Sequence, residues 1–452
     1  MLNFFSAQLA QLAPLMAASA EPTPKNGFQA AAAITIFLVC YALIAAEKFN
    51  KITIVLVGAA AMAILGITTS SAAFFNHDTG IDWNVIFLLL GMMIIVGVLH
   101  ATGVFEALAL WVIKVAKGKT RRVFIYMLAF VGFSSAFLDN VTAILLAVPM
   151  SIQIAKRMKT SPVPLIIGQV ILSNIGGAAT LIGDPPNIII ASRADLSFND
   201  FLIHMAPAAI VAAWAVIGLL VWMSRKDLKG GVDPADLDDI KPAAAITDRP
   251  LLNKGLIVLG LVLAAFVAHA WLPLEPSVVA LIGAGALILI AQVPVKKWAK
   301  DIEWKTLVFF AGLFIMVGGL VQVGAISAIA NWLQATFGDN LPNLALVVMI
   351  GSTIVSGIVD NIPYVTSMSP VISELVANST TDASGLWWAL AFGADFGGNM
   401  TVIGASANVV AIGLAAAAGH KIGFWQFAKY GIPATVLSMA VAIPYVMLRY
   451  FA

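Results

Sequence analysis

Residues 81–194 of this 452-residue chain return at 302–415 with a fixed offset of 221, and that repeat restricts the fold more than any other feature. Ile81-Asp82-Trp83 comes back as Ile302-Glu303-Trp304, and Asp139-Asn140 as Asp360-Asn361. The stretch Asn174, Gly176-Gly177, Gly183, Asn187 comes back as Asp395, Gly397-Gly398, Gly404, Asn408. Two homologous, apolar halves with polar residues at matched places are the pattern of a secondary transporter built from two structural repeats. Duplication for packing alone would not keep acids and amides inside apolar runs, where such groups are costly.

Composition points to the bilayer. The chain is 61% hydrophobic and 11% charged, with mean hydropathy +0.97. Ordinary soluble domains carry about twice that charged fraction. Several apolar runs reach the ~20 residues that span a hydrocarbon core. An all-α polytopic membrane protein is expected, with no enzymatic activity, cofactor or nucleic-acid partner. The formal net charge of +2 carries no nucleic-acid signal, because the basic residues cluster in short loops. A single cysteine, Cys40, excludes an internal disulfide and a multi-thiolate metal site.

Apolar segments are expected near 28–46, 53–75, 83–113, 123–153, 163–191 and 205–223, then 253–271, 277–293, 304–333, 343–374, 386–418 and 431–448. The domains follow: a leader 1–27, interfacial or disordered; a first repeat 28–223; a polar cytoplasmic linker 224–252; and a second repeat 253–452. Lys and Arg gather at 48–51, 114–122, 156–159, 225–229 and 296–305, which the positive-inside rule places in the cytoplasm. The matching loops of the other half are neutral or acidic: 335–342 carries Asp339 and 377–385 carries Asp382. Repeats of opposite orientation produce that contrast. Both flanks of 123–153 are basic, so this run should be a re-entrant hairpin turning near Ser134, Ser135 and Asp139, with 343–374 its opposed counterpart.

Segment 163–191 holds Gly183-Asp184-Pro185-Pro186-Asn187. Two prolines remove two backbone donors and push the preceding residue out of helical conformation, so the helix should break there. Breaks at membrane depth are tolerated where they line a cavity or are covered by protein. In the matching stretch, Gly404-Ala405-Ser406-Ala407-Asn408, the prolines are gone. The expected binding groups are Asn140, Asn174, Thr180, Asn187, Asn361, Thr401, Ser406 and Asn408. Asp139, Asp184, Asp360 and Asp395 are the expected proton- or cation-coupling groups, since a carboxylate held out of water can take up and release protons. Asp139 and Asp360 can also cap helices at the hairpin turns. No dedicated metal site is expected, though Na⁺ could use the same aspartates.

These motifs resemble a known family. Phe137-Leu138-Asp139-Asn140-Val141-Thr142, Ser173-Asn174-Ile175-Gly176-Gly177 and Ile182 through Asn187 are similar to the arsenite-pump, sodium/proton-antiporter and melanocyte P-protein branch of the ion transporter superfamily. Val359-Asp360-Asn361-Ile362-Pro363 and Gly393-Ala394-Asp395 match its second half. The resemblance covers roughly 30–448. It implies inverted repeats with two re-entrant hairpins and two broken transmembrane helices, an elevator-type mechanism, a homodimer in the plasma membrane, and a cytoplasmic ATPase partner. It also implies a substrate. Proton-coupled efflux of arsenite or antimonite is placed first, as a neutral trihydroxide held by amides while an aspartate carries the proton. Na⁺/H⁺ antiport is second, favoured by hard oxygen ligands. A citrate or dicarboxylate substrate is third, because Asp-Asn stands at the hairpin tips where related dicarboxylate carriers have Ser-Asn-Thr. A channel is disfavoured, since two exchangeable halves serve alternating access rather than a pore.

Overall fold

The computed structural model describes residues 27–46, 49–228, 231, 241–268, 274–292, 294, 298–299, 302–337 and 340–452. The leader before residue 27 and Asp233, Asp236, Asp238, Asp239 and Asp339 lie outside the described residues, as do Lys48, Lys296, Lys297 and Lys300. The described residues form helices joined by short loops, and eight helices are long and apolar enough to cross a membrane.

The 221-residue offset governs the architecture. Each hairpin is a descending and a returning helix, Thr120–Ser135 with Asn140–Met158 and Leu341–Ile358 with Asn361–Ala377. Each returning helix carries a proline at the same repeat position, Pro149 and Pro370. The broken helices are Val163–Gly177 with Pro185–Ala194 and Gly385–Gly397 with Ser406–Ala417.

Three expected segments are divided. The run 83–113 is two helices, Trp83–His100 and Val104–Val115, and 304–333 is likewise Trp304–Gln322 and Ala325–Phe337. The cause is one glycine per half. Gly103 has φ 77° and Gly324, at the matched position, has φ 75°. A left-handed residue cannot continue a right-handed helix, and glycine adopts that conformation without steric cost. Gly66, at φ 66°, similarly ends Lys51–Ile64, so 53–75 is that helix plus the short Ser70–Phe75. The helix Arg249–Val267 begins inside the expected linker, capped by Asp248 accepting Leu251 N at 2.9 Å. The turn Pro242–Ala245 just before it rests on Val104–Val115.

The halves are interwoven. Helices Gly27–Ala45 and Lys51–Ile64 pack on Trp304–Gln322 of the second half, while Arg249–Val267 and Pro276–Ala291 pack on Trp83–His100 of the first. Matched glycines make the approach possible: a methyl group on Gly91 would collide with Ala280, and one on Gly312 with Val55. Close backbone approach through small residues is the main source of helix adhesion in lipid, where the hydrophobic effect between helices is weak. Around this frame stand the hairpins, the broken helices and the terminal helices Ala206–Met223 and Phe424–Tyr450, which pack on each other.

Candidate ion and substrate site

Each break is tied to its own hairpin tip by the same bonds in both halves. Asn140 N donates to Gly183 O at 3.1 Å, and Asn361 N to Gly404 O at 3.1 Å. Thr180 Oγ1 donates to Ala136 O, and Thr401 Oγ1 to Gly357 O at 2.6 Å. Ser135 Oγ donates to Ser173 O at 2.7 Å, and Ser356 Oγ to Ala394 O at 2.6 Å. Within each break one asparagine side chain bridges back to the half-helix before it. Asn187 Nδ2 donates to Thr180 O at 3.0 Å and Gly177 O at 3.4 Å, whereas Asn408 Nδ2 donates to Thr401 O and Gly398 O at 2.7 Å each. These bonds satisfy carbonyls that a broken helix leaves without partners, which in hydrocarbon cost several kcal/mol apiece if unpaired.

The prolines do not by themselves set the break. Asp184, before Pro185, is extended at φ −141°, ψ 132°, as pre-proline sterics require. Ala405, with no proline after it, is extended at φ −148°, ψ 147°. The half-helices before both breaks pack equally closely: a side chain on Gly176 would overlap the Gly132 carbonyl, and one on Gly397 the Thr353 carbonyl.

Between the two breaks lies an amide network sealed from solvent. Asn174, Asp184, Asn187, Asp395, Asn399 and Asn408 are all fully buried. Asn140 Nδ2 donates to Asp184 Oδ2 at 2.8 Å and to Asn174 Oδ1 at 3.1 Å. Asn174 Nδ2 crosses to the second half, reaching Asn399 Oδ1 at 3.0 Å and Asn408 Oδ1 at 3.1 Å. Asn361 Nδ2 approaches Asp184 from the opposite hairpin, 3.5 Å from both carboxylate oxygens. Asp184 is also near enough to Asp395, Asp360 and Asp139 for their charges to act on it. Asp395 is different. Asn187 is beside it, yet among the described residues neither carboxylate oxygen has a partner in hydrogen-bonding geometry, and Asn187 Oδ1 has none either.

All twelve expected residues therefore belong to the tips and breaks, but in distinct positions. Asn140, Asn174, Asn361 and Asn408 join the central network, with Asp184 its shared acceptor. Thr180, Thr401 and the amide of Asn187 spend their donors on backbone. Ser406 Oγ donates to Asp360 Oδ2 at 2.5 Å. Asp139 and Asp360 head their return helices, accepting from Thr142 N at 3.0 Å and Ile362 N at 3.3 Å. Sequence reasoning passed over Asn399, whose repeat partner is Ala178, and Lys51, which reaches Asp360. It also passed over Glu303, the residue before Trp304–Gln322, which feels the charge of Asp139. Burial, helped by that charge and opposed by a 2.9 Å bond from Thr306 Oγ1, pushes Glu303 up to about 7.

Comparison with known proteins agrees with this architecture and with the motif resemblance. The model of the CitMHS citrate transporter family matches residues 41–393. An uncharacterized transporter of Mycobacterium tuberculosis is 48% identical over 423 residues, covering 93% of this chain and 98% of that one. The P protein of Sus scrofa is 29% identical over 527 residues, covering 98% of this chain and 62% of that protein. Among solved structures, the YdaH transporter of Alcanivorax borkumensis superposes with TM-score 0.55 at 15% identity, covering 93% of this chain and 98% of that one. MtrF of Neisseria gonorrhoeae, described as one of a class of antimetabolite efflux pumps, superposes with TM-score 0.59 at 12% identity, covering 94% and 95%. The structural likenesses speak to fold alone.

Proposed function

The chain is a multi-pass secondary transporter belonging to the citrate transporter family of the ion transporter superfamily, and on that premise we propose that it couples solute movement to protons or Na⁺ at Asp184 and Asp395. The observation that carries this reading is Asp395: a fully buried carboxylate whose two oxygens have no partner among the described residues, beside an asparagine whose own oxygen has none there either. A lone buried charge is too costly to persist, so such a group must hold a proton or a cation whenever the site is closed. Asp184 and Asp395 stand at different repeat positions, one per break, so the frame is two-fold while its chemistry is not.

For the cargo, hard oxygens favour a small cation exchanged for protons, and Na⁺ is the reading the geometry supports best. Arsenite or antimonite, which the motif resemblance places first, draws support from the neutral amides of Asn140, Asn174, Asn361, Asn399 and Asn408, suited to an uncharged trihydroxide. A citrate anion would meet Asp184, Asp360 and Asp395 and needs a bound cation to offset them. The halves 28–223 and 253–452 serve as opposed repeats joined by 224–252. The interwoven helices form a scaffold past which hairpins and broken helices move as an elevator.

Proteoliposomes carrying a proton gradient, challenged separately with Na⁺, Li⁺, arsenite and citrate, test the reading. Na⁺ is expected to dissipate the gradient. Arsenite flux without a Na⁺ response would transfer the assignment to efflux of the neutral hydroxide. Citrate flux without added cation would remove the charge argument altogether.

A further inference from the structure

One cation stands among the acids of the second tip. Lys51 Nζ lies 2.9 Å from Asp360 Oδ2, and the Lys51 and Asp360 side chains are 26% and 2% exposed. The two come from opposite parts of the machine. Lys51 opens Lys51–Ile64, which packs on Trp304–Gln322 in the interwoven frame, whereas Asp360 sits at the turn of the second hairpin. The same Asp360 oxygen accepts Ser406 Oγ from the second break, and its other oxygen accepts Ile362 N.

Further groups face this carboxylate. Tyr41, from Gly27–Ala45, is close enough to feel the charge of Asp360 and lies near Tyr364 of the return helix. Asp184 of the first break also feels its charge. The Tyr41 hydroxyl is buried without a hydrogen-bond partner among the described residues. Asp360 Oδ2 and Ser406 Oγ, with Tyr41 close enough to feel the Asp360 charge, are thus oxygen donors of the kind that surround a small monovalent cation, and the Lys51 ammonium is paired with the first of them. Among the described residues the first tip has no such arrangement: Thr142 Oγ1 and N occupy the oxygens of Asp139, and an acid, Glu303, feels its charge.

We infer that Lys51 is a tethered counter-ion that occupies a cation position at Asp360 and yields it when the transported cation arrives. This rests on the cation-coupled reading above and deepens it. One positive charge replaces another, so Asp360 is never left buried and uncompensated. The exchange also releases the frame helix from the hairpin tip, joining ion binding to the freedom of the second hairpin to move. Lys51 is accordingly a positioning residue that competes for the site rather than a ligand of the cargo.

The test is Na⁺-dependent thermal stabilisation of the purified full-length protein, with Lys51→Gln, Lys51→Met (which keeps the packing of the stem) and Lys51→Arg. Without the competing ammonium, the Na⁺ concentration at half-maximal stabilisation should fall roughly tenfold in the Gln and Met variants and stay near wild type in the Arg variant. In an Asp360→Asn background the Lys51→Gln change should have no further effect, because the contested carboxylate is gone. Unchanged or weakened Na⁺ response in both Gln and Met variants overturns the inference while leaving the coupled-transport reading intact. A wild-type protein that does not respond to Na⁺ at all removes the reading itself, and the inference with it.

Discussion

The two hairpin tips share a backbone and differ in charge. Both turn through an aspartate that caps the return helix, followed by an asparagine whose N–H bonds the glycine carbonyl of its own break at 3.1 Å. At the first tip the acid is closed off by Thr142 and faces Glu303; at the second it holds Lys51 and Ser406 from two other elements. Duplication has preserved the scaffolding of the site and let its electrostatics diverge. Binding free energy at such a frame depends on which charges are present, so one tip can carry ion chemistry while the other only supports the fold.

The largest expected difference comes from neutralising each tip. Asp360→Asn removes the negative charge of an ion pair that crosses between frame and hairpin, and transport in proteoliposomes should fall about a hundredfold or more, as for a buried charge losing its partner. Asp139→Asn keeps the size and an oxygen acceptor for Thr142 and should cost less than about tenfold. Equal losses would mean that the tips work alike, and the contrast between them would be lost.

Next come the asparagines that close each break. Asn408 makes two bonds to backbone at 2.7 Å and also accepts from Asn174, whereas Asn187 makes one bond at 3.0 Å and a longer one at 3.4 Å. Alanine at 408 should destabilise the protein by about 3 kcal/mol and alanine at 187 by about 2 kcal/mol, since buried carbonyls lose their donors. Thermal or denaturant unfolding in detergent would rank them, and the reverse order would put the weight on the proline-containing break.

The smallest effect is pH-dependent. Glu303 titrates at about 7 in the folded protein, chiefly because it is buried and secondarily because Asp139 is near. Its unfolded value is about 4.3. The folded state therefore binds the proton more tightly, and its contribution to stability is present at acid pH, declines as pH rises through that interval, and is gone above about 7. Glu303→Gln should thus gain roughly 1–2 kcal/mol over wild type at pH 8 and nearly nothing at pH 4. A gain independent of pH would detach Glu303 from the first tip.

Much of this was legible in the sequence because the offset is a physical statement about chirality and bonding. Thr180 and Thr401, Asn187 and Asn408 recur because each side chain completes the same hydrogen bond twice, and both Asn140 and Asn361 turn their side-chain amides to Asp184. The split of the long apolar runs at Gly103 and Gly324 was not legible. An apolar run reads the same on either side of a left-handed residue, and glycine also occurs inside membrane helices. Asn399 escaped because its partner is Ala178, so the repeat drew no attention to it. Lys51 escaped for another reason: a basic residue at the start of an apolar run reads as loop charge that sets orientation, and only the fold carries it to Asp360. The threonines were found, but composition could not tell that their hydroxyls serve the backbone.

The central claim is that Asp395 holds the coupling ion, and proton release on Na⁺ binding measures it most directly. Na⁺ added to purified wild-type protein in lightly buffered detergent solution should liberate protons in a saturable way, and Asp395→Asn should lose that release while remaining folded. Proton release from Asp395→Asn equal to wild type would contradict the account and move the coupling ion away from the second break.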